Sequence, residues 1–308
     1  MNNELWPHIE PYNHFYIKID QHNIYVEECG NPNGIPIIFL HGGPGGGCLE
    51  VHRRLFNPKQ CRIILFDQRG CGRSVPNASI ENNTPNHIVE DMEQIRQILN
   101  IDKFHLFGGS WGTTLALLYA IKYPKHVDTM ILRGVFLGTK KEIDWIYEPN
   151  GCANFHPEAY KHLVSDVETE KSIVHQFYTK LINMDESYAK KWAIWEAINS
   201  GISVDQKTID SFTEPKLAMS LARISTHYFA NELFIEENFI INHLDPIREI
   251  KTTIVQGGLD LLCPPKAANT LANQLNNANL FILQDAGHSL FEASILKRML
   301  NILSDNYH

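Results

Sequence analysis

The sequence predicts an α/β fold, a mostly parallel sheet carrying a long helical insertion, and three observations predict it. Short apolar runs of buried-strand type, IPIIFL ending at Leu40 and RIILF ending at Phe66, punctuate the first part of the chain. Strand, helix and strand then follow one another in KFHLF, TTLALLYAIKY and TMILRGVF, as βαβ units require. From roughly residue 140 to 248 the pattern is helical and aromatic, with no convincing strand, before strand–helix alternation resumes at TTIVQGG.

Taken in order, HFYIKID-QHN-IYVEEC reads as an antiparallel hairpin turning at Gln21 to Asn23. Thr84 followed by Pro85 marks a helix start, and the helix continues through DMEQIRQIL. AKKWAIWEAI and KLAMSLARISTHYFANELF supply helices of the insertion. After TTIVQGG come a helix near Ala267 to Leu275, the strand LFILQDAG and a final helix from about Leu290 to Leu303. The expected organisation is a core of residues 1–138 and 249–308 with a helical cap of residues 139–248. Such a cap would sit over the strand ends, where open α/β sheets bind ligands.

The 308 residues are 44% hydrophobic and 20% charged, as in ordinary soluble globular proteins. Formal net charge is -8 and no run of Lys and Arg occurs, so neither nucleic acid nor an anionic membrane is an expected partner. The start MNNELWPHIEPYNHF lacks the basic-then-apolar pattern of a secretory signal, and no apolar run approaches the roughly 18 residues of a membrane span. Six scattered cysteines form no Cys-x-x-Cys pair, which argues against a zinc or redox site and for reduced thiols in the cytoplasm.

The chemistry concentrates in four places. KFHLFGGSWGTTLALLYA sets Gly108, Ser110 and Gly112 as G-x-S-x-G between an apolar strand and a helix. A serine on that sharp turn is exposed as a nucleophile, and the flanking glycines leave room for the bend. A helix N-terminus also favours negative charge developing beside it. The plainer alternative is a Gly-rich turn with a capping serine. A serine needs a base, and His288 in DAGHSLFE follows the last strand in a loop opening into the final helix. Asp260 in VQGGLDLLCPP follows the preceding strand and is the expected carboxylate partner, with Asp285 as a rival better suited to shaping the loop. Ser, Asp, His is the chain order of α/β-hydrolase triads.

An oxyanion would rest on the backbone N–H of Trp111, after the nucleophile, and on one from the loop HGGPGGG, with Gly43 favoured and Gly42 as the alternative. That loop is no phosphate cradle, because Cys48, Leu49 and Glu50 follow where Gly-Lys-Ser/Thr would be needed. In FDQRGCGRS the expected role is structural, with Arg69 or Arg73 tying loops together through charge-assisted hydrogen bonds.

HGGPGGG, DQRGCGRS, GGSWGTTLALLYA, ILRGVFL, KKWAIWE and ARISTHYF, in that order along most of the chain, resemble the proline iminopeptidases among α/β-hydrolases. The resemblance implies an α/β-hydrolase fold, a serine aminopeptidase acting without metal or cofactor, and a small peptide with a free N-terminal proline as its partner. It carries Ser110, Asp260 and His288 over as nucleophile, acid and base, and Gly43 and Trp111 as oxyanion donors. It also makes Glu196 the carboxylate that holds the substrate's amino group, and Phe136 and Tyr147 parts of a proline pocket. A solvent-facing helix position for Glu196 and plain core packing for the two aromatics are the alternatives. Ser225 stands where the family pattern carries a second glutamate, leaving Glu196 and Glu232 as candidate carboxylates. Another α/β-hydrolase activity, esterase, amidase or broader aminopeptidase, is the competing expectation.

Overall fold

The computed structural model describes residues 4–168 and 170–307. Eight strands form one sheet: β1 (Asn13–Ile19), β2 (His22–Gly30), β3 (Ile35–Leu40), β4 (Cys61–Phe66), β5 (Phe104–Gly109), β6 (Val127–Arg133), β7 (Lys251–Gly257) and β8 (Ala278–Leu283). Their spatial order is β1-β2-β4-β3-β5-β6-β7-β8. The β1–β2 and β2–β4 pairs are antiparallel, and all the others are parallel.

Why the strands read as continuous apolar runs is visible in their packing. Ile38, Leu40, Ile64, Phe66, Leu106, Met130 and Leu132 enter one buried core. Their neighbours Ile37, Phe39, Ile63, Leu65, Phe107 and Ile131 enter a second. A strand buried on both faces loses the polar half of its alternation.

Helices cover both faces. On the first lie α2 (Pro85–Ile98) and α3 (Trp111–Lys122). On the second lie the short α1 (Glu50–Arg53) and the C-terminal α12 (Ala293–Asn306), whose Ile295, Met299, Ile302 and Leu303 form one apolar stripe. Thr84 caps α2 by accepting from His87 N, with Pro85 in the first turn, as the sequence indicates.

Among the described residues between β6 and β7, the regular elements are helices: α4 (Lys140–Tyr147), α5 (Pro157–Leu163), α6 (Ile173–Ile182), α7 (Glu186–Asn199), α8 (Gln206–Phe212), α9 (Pro215–Ala230) and α10 (Phe239–Asn242). Asp185 caps α7 and a Thr139–Glu142 capping box opens α4. The last helix of the core before β8 is α11 (Pro265–Ala272).

Two boundaries differ from the sequence reading. The β1–β2 turn is Asp20–Gln21, with Ile19 paired to His22, so Asn23 already lies in the ladder. Asp20 takes φ 53, a conformation Asp tolerates, and this allows the tighter turn. The last helix begins at Ala293 rather than near Leu290, and His288 therefore belongs to the loop and not to a helix start. Asp91, inside α2, receives a buried bidentate Arg69 at 2.7 and 2.6 Å. Arg73 bonds Asp67 at 2.7 Å and Glu27 at 2.6 Å, so both arginines tie loops together. All six cysteines are free and buried.

Candidate active site

Ser110 occupies the single residue between β5 and α3, with φ 57 and ψ -126. That backbone is costly for a residue with a Cβ and is held by its surroundings. A side chain on Gly108 would run into the backbone of Gly112, and one on Gly112 into Leu40 O, so the strand-to-helix bend admits only glycine on either side. Ser110 N donates to Arg133 O at 2.8 Å, and Thr113 N to Ser110 O at 2.7 Å.

Asp260 and His288 come together from the loops after β7 and β8. His288 Nδ1 lies 2.8 Å from Asp260 Oδ2, and both side chains are buried. The contact fixes the proton on Nδ1 and leaves Nε2 free to accept. Asp260 is itself held: Cys263 N donates to Oδ1 at 2.8 Å and Gln256 Nε2 to Oδ2 at 3.2 Å. Gln256 also donates to Cys263 O at 2.8 Å and accepts from Val135 N at 3.1 Å.

Gly134 brings the serine and the His–Asp pair to one point. It follows Arg133, whose carbonyl holds Ser110 N, and a Cβ on it would lie 3.1 Å from His288 Cε1 and 3.4 Å from Asp260 Oδ2. The serine hydroxyl makes no hydrogen bond to His288 among the described residues. It lies beside the thiol of Cys263, which burial pushes well above its usual pKa and which the hydroxyl draws partly back. The rival acid Asp285 is exposed.

The HGGPGGG loop lies over Ser110: a Cβ on Gly42 would stand 3.4 Å from Ser110 Cβ and 3.9 Å from its Oγ. Gly43 has φ 124, and a side chain there would strike the backbone of Gly45 and Gly46. Trp111 begins α3, so its N–H is one of the helix-end donors without an intrahelical acceptor. Its indole Nε1 donates to Gln68 Oε1 at 3.0 Å, and Gln68 Nε2 donates to His41 O at 3.0 Å. One glutamine side chain thus links the two backbone segments that would meet an oxyanion. Buried His41 is kept neutral, its pKa lowered by desolvation. Its Nε2 accepts from Gln68 N at 3.0 Å, while Nδ1 lies 2.9 Å from Gly42 O and 3.0 Å from Gly47 N, so the ring ties both ends of the glycine loop to Gln68.

The loop is also gripped from above by α9. Ser220 donates to Gly45 O at 2.9 Å and Ser225 to Pro44 O at 2.8 Å. A Cβ on Gly45 would collide with the backbone of Ser220 and Leu221. Ser225 is therefore turned to the loop backbone.

Glu196 is not a solvent-facing helix residue. It is 9% exposed on α7 and accepts a short hydrogen bond from Tyr147 Oη. Burial raises its pKa to about 7, with the tyrosine opposing the rise. Tyr147 stacks on Trp192 at 4.2 Å and leans on Phe229, which meets Phe136 edge-on at 6.1 Å. Tyr147 sits within electrostatic reach of both Glu196 and Cys263, the thiol beside Ser110. Glu232, by contrast, is exposed and lines a surface pocket with Lys140 and His175.

Sequence reading overlooked Arg133, Gln256 and Gln68. The first two carried a signal, a polar residue at the end of the apolar runs TMILR and TTIVQ. Arg133 reaches under Gly109 and donates to His288 O at 2.6 Å, with its Nε buried and unpartnered.

A model of the α/β-hydrolase fold family matches residues 35–294. A probable proline iminopeptidase of Leptolyngbya boryana is 40% identical over 306 residues, 97% of this chain and 95% of the relative. A proline iminopeptidase of Arabidopsis thaliana is 41% identical over 94% of this chain and 79% of its own length. One from Neisseria gonorrhoeae is 38% identical over 96% of both. Among solved structures, an esterase from Exiguobacterium antarcticum superposes with a TM-score of 0.69 at 21% identity, covering 94% of this chain and 98% of that one, a likeness of fold. With its serine elbow, its His–Asp pair and near-full-length similarity to these relatives, the chain belongs to the proline iminopeptidase family of α/β-hydrolases.

Proposed function

We propose that this protein is a serine aminopeptidase that releases proline from the N-terminus of small peptides, in the cytoplasm. The observation that carries the reading is the buried Tyr147–Glu196 pair, within electrostatic reach of the Cys263 thiol beside Ser110. A carboxylate taken out of water has reason to be there if a cation meets it, and an N-terminal proline brings one. Phe136, Tyr147 and their aromatic neighbours supply the apolar wall for the pyrrolidine ring.

Ser110 Oγ attacks the prolyl carbonyl while His288 Nε2 takes its proton and Asp260 stabilises the imidazolium. The carbonyl oxygen becomes an oxyanion facing the N–H groups of Gly43 and Trp111. His288 passes its proton to the leaving nitrogen as the C–N bond breaks, giving a prolyl ester on Ser110. Water, deprotonated by His288, then releases proline. Residues 139–248 act as a cap that brings the Tyr147–Glu196 pair to the acyl side of the site. Among the described residues, no helix is long and apolar enough to cross a membrane.

The test is hydrolysis of proline p-nitroanilide beside the alanine and acetyl-proline p-nitroanilides, with Ser110→Ala as control. Preference for free proline, abolished in Ser110→Ala, is the expected result. One observation favours an esterase or amidase instead: with Ser225 bonded to Pro44 O, Glu196 is the carboxylate left beside Tyr147. Cleavage of simple esters through Ser110, with all three anilides untouched, would establish that second reading.

A further inference from the structure

We propose that Leu49, Ile202 and Phe291 form an apolar collar on the leaving-group side of the site and select peptides with an apolar residue directly after the proline. This rests on the aminopeptidase reading and specifies its substrate class. The three side chains are 58%, 52% and 41% exposed, large apolar groups left in water. They come from three separate parts of the chain, and each is tied to the segment that carries His288. Phe291 stacks on His52 at 6.1 Å, and His52 Nδ1 accepts from Leu49 N at 3.0 Å. Ile202 reaches the same segment from the insertion. Its Cγ1 lies 3.3 Å from where a Cβ on Gly287 would be, and Glu292, which accepts from Gly287 N at 2.6 Å, also takes Ile202 N at 3.4 Å.

Direction follows from the chemistry. The general acid touches the leaving nitrogen, so the peptide beyond the scissile bond must pass His288, while the prolyl half lies toward Tyr147 and Glu196. The first leaving side chain then travels over residues 287–292, where the collar stands. Its charge fits an apolar guest. His52 is held neutral, burial taking its pKa to about 3, and the acidic groups nearest in sequence are exposed Glu50 and half-buried Glu292. An Asp or Glu after the proline would meet no cation among these residues.

The experiment compares kcat/KM for Pro-Phe, Pro-Leu, Pro-Gly, Pro-Asp and prolinamide, whose leaving group is ammonia. Wild type is expected to favour Pro-Phe and Pro-Leu over Pro-Gly by about tenfold, with Pro-Asp poorest, as partial burial of one apolar side chain gives. Leu49→Ser, Ile202→Ser and Phe291→Ser, singly and together, lower the Pro-Phe to prolinamide ratio stepwise toward that of Pro-Gly. Equal rates for the dipeptides with prolinamide cleaved, or a ratio unmoved in all the variants, overturns the collar and leaves the aminopeptidase reading standing. If neither prolinamide nor any dipeptide is cut, both fall together. Sedimentation supplies a third outcome: a dimer that the triple variant dissociates, with dipeptide preference unchanged, makes the patch a contact between copies and overturns the proposal.

Discussion

Ser225 of α9 donates its hydroxyl to the carbonyl oxygen of Pro44 at 2.8 Å, so the helical insertion holds the glycine loop beside Ser110 by a direct bond. Ser220, five residues earlier, holds Gly45 O at 2.9 Å. Two adjacent loop carbonyls, one and two residues beyond Gly43, are thus fixed by one helix, which limits how far the loop that carries the Gly43 N–H can shift.

Ser225→Ala should therefore lower kcat for proline p-nitroanilide by about tenfold with little change in KM, because an oxyanion donor acts on the transition state. The stability loss should be about 1–2 kcal/mol, the cost of one buried unmet acceptor. Steady-state kinetics with thermal unfolding reads both. A raised KM with kcat intact would place Ser225 at the substrate instead.

Glu196 gives a pH signature of defined sign. Its pKa is about 7 in the fold against an ordinary glutamate value of 4.5. The folded protein therefore keeps a proton that the unfolded chain loses between these values. The stability it contributes is complete below 4.5 and lost as pH rises through 7, a cost of about 3 kcal/mol above that point. Glu196→Gln escapes the cost, so its melting temperature should gain on wild type more at pH 8 than at pH 5. Equal differences at the two pH values would contradict the buried carboxyl.

In the proposed function the same residue meets the substrate's amino group. A prolyl ammonium favours the ionised carboxylate, so KM for proline p-nitroanilide should rise as pH falls below about 7. In Glu196→Gln that dependence should vanish, along with most of the discrimination against acetyl-proline p-nitroanilide. Unaltered discrimination would remove Glu196 from the amino-end site.

Gln256→Ala frees Asp260 Oδ2, Cys263 O and Val135 N from one shared partner. We expect kcat to fall roughly tenfold to a hundredfold as the acid loses its fixed orientation, with KM changed less. Loss of stability with kcat intact would show that Gln256 serves only the fold.

Arg69→Met strands the buried Asp91 carboxylate, and urea unfolding should show a loss of about 3–5 kcal/mol. Adding Asp91→Leu should restore most of it. Independent, additive losses in the double variant would show that the two side chains are uncoupled.

Much of this was legible in the sequence, for reasons that can be named. Strands buried on both faces announce themselves as apolar runs, and the elbow around Ser110 needs glycine wherever backbones touch, which the motif records. Asp260 and His288 follow from chain order. What escaped depends on which groups meet across the fold. Gln256 looks like a strand-end polar residue until Asp260 folds onto it, and Ser225 looks like a missing carboxylate until its hydroxyl is seen on Pro44 O. The β1–β2 turn shifted because Asp20 accepts a positive φ, a conformational choice that alternation of side chains does not encode.

The helical segment leaves the sheet at Arg133 and returns at Lys251 on the neighbouring parallel strand, so it is a single oversized crossover. In evolutionary terms this makes it an exchangeable module. Drift or replacement there can retune which molecules enter without disturbing the order of strands beneath. Inheritance of the module is nevertheless not free. In this chain α9 gives two hydroxyls, one turn or so apart, to the glycine loop, so a change at Ser220 or Ser225 is felt beneath the module as well as within it. The module can change its diet readily only where it leaves that grip on the floor undisturbed.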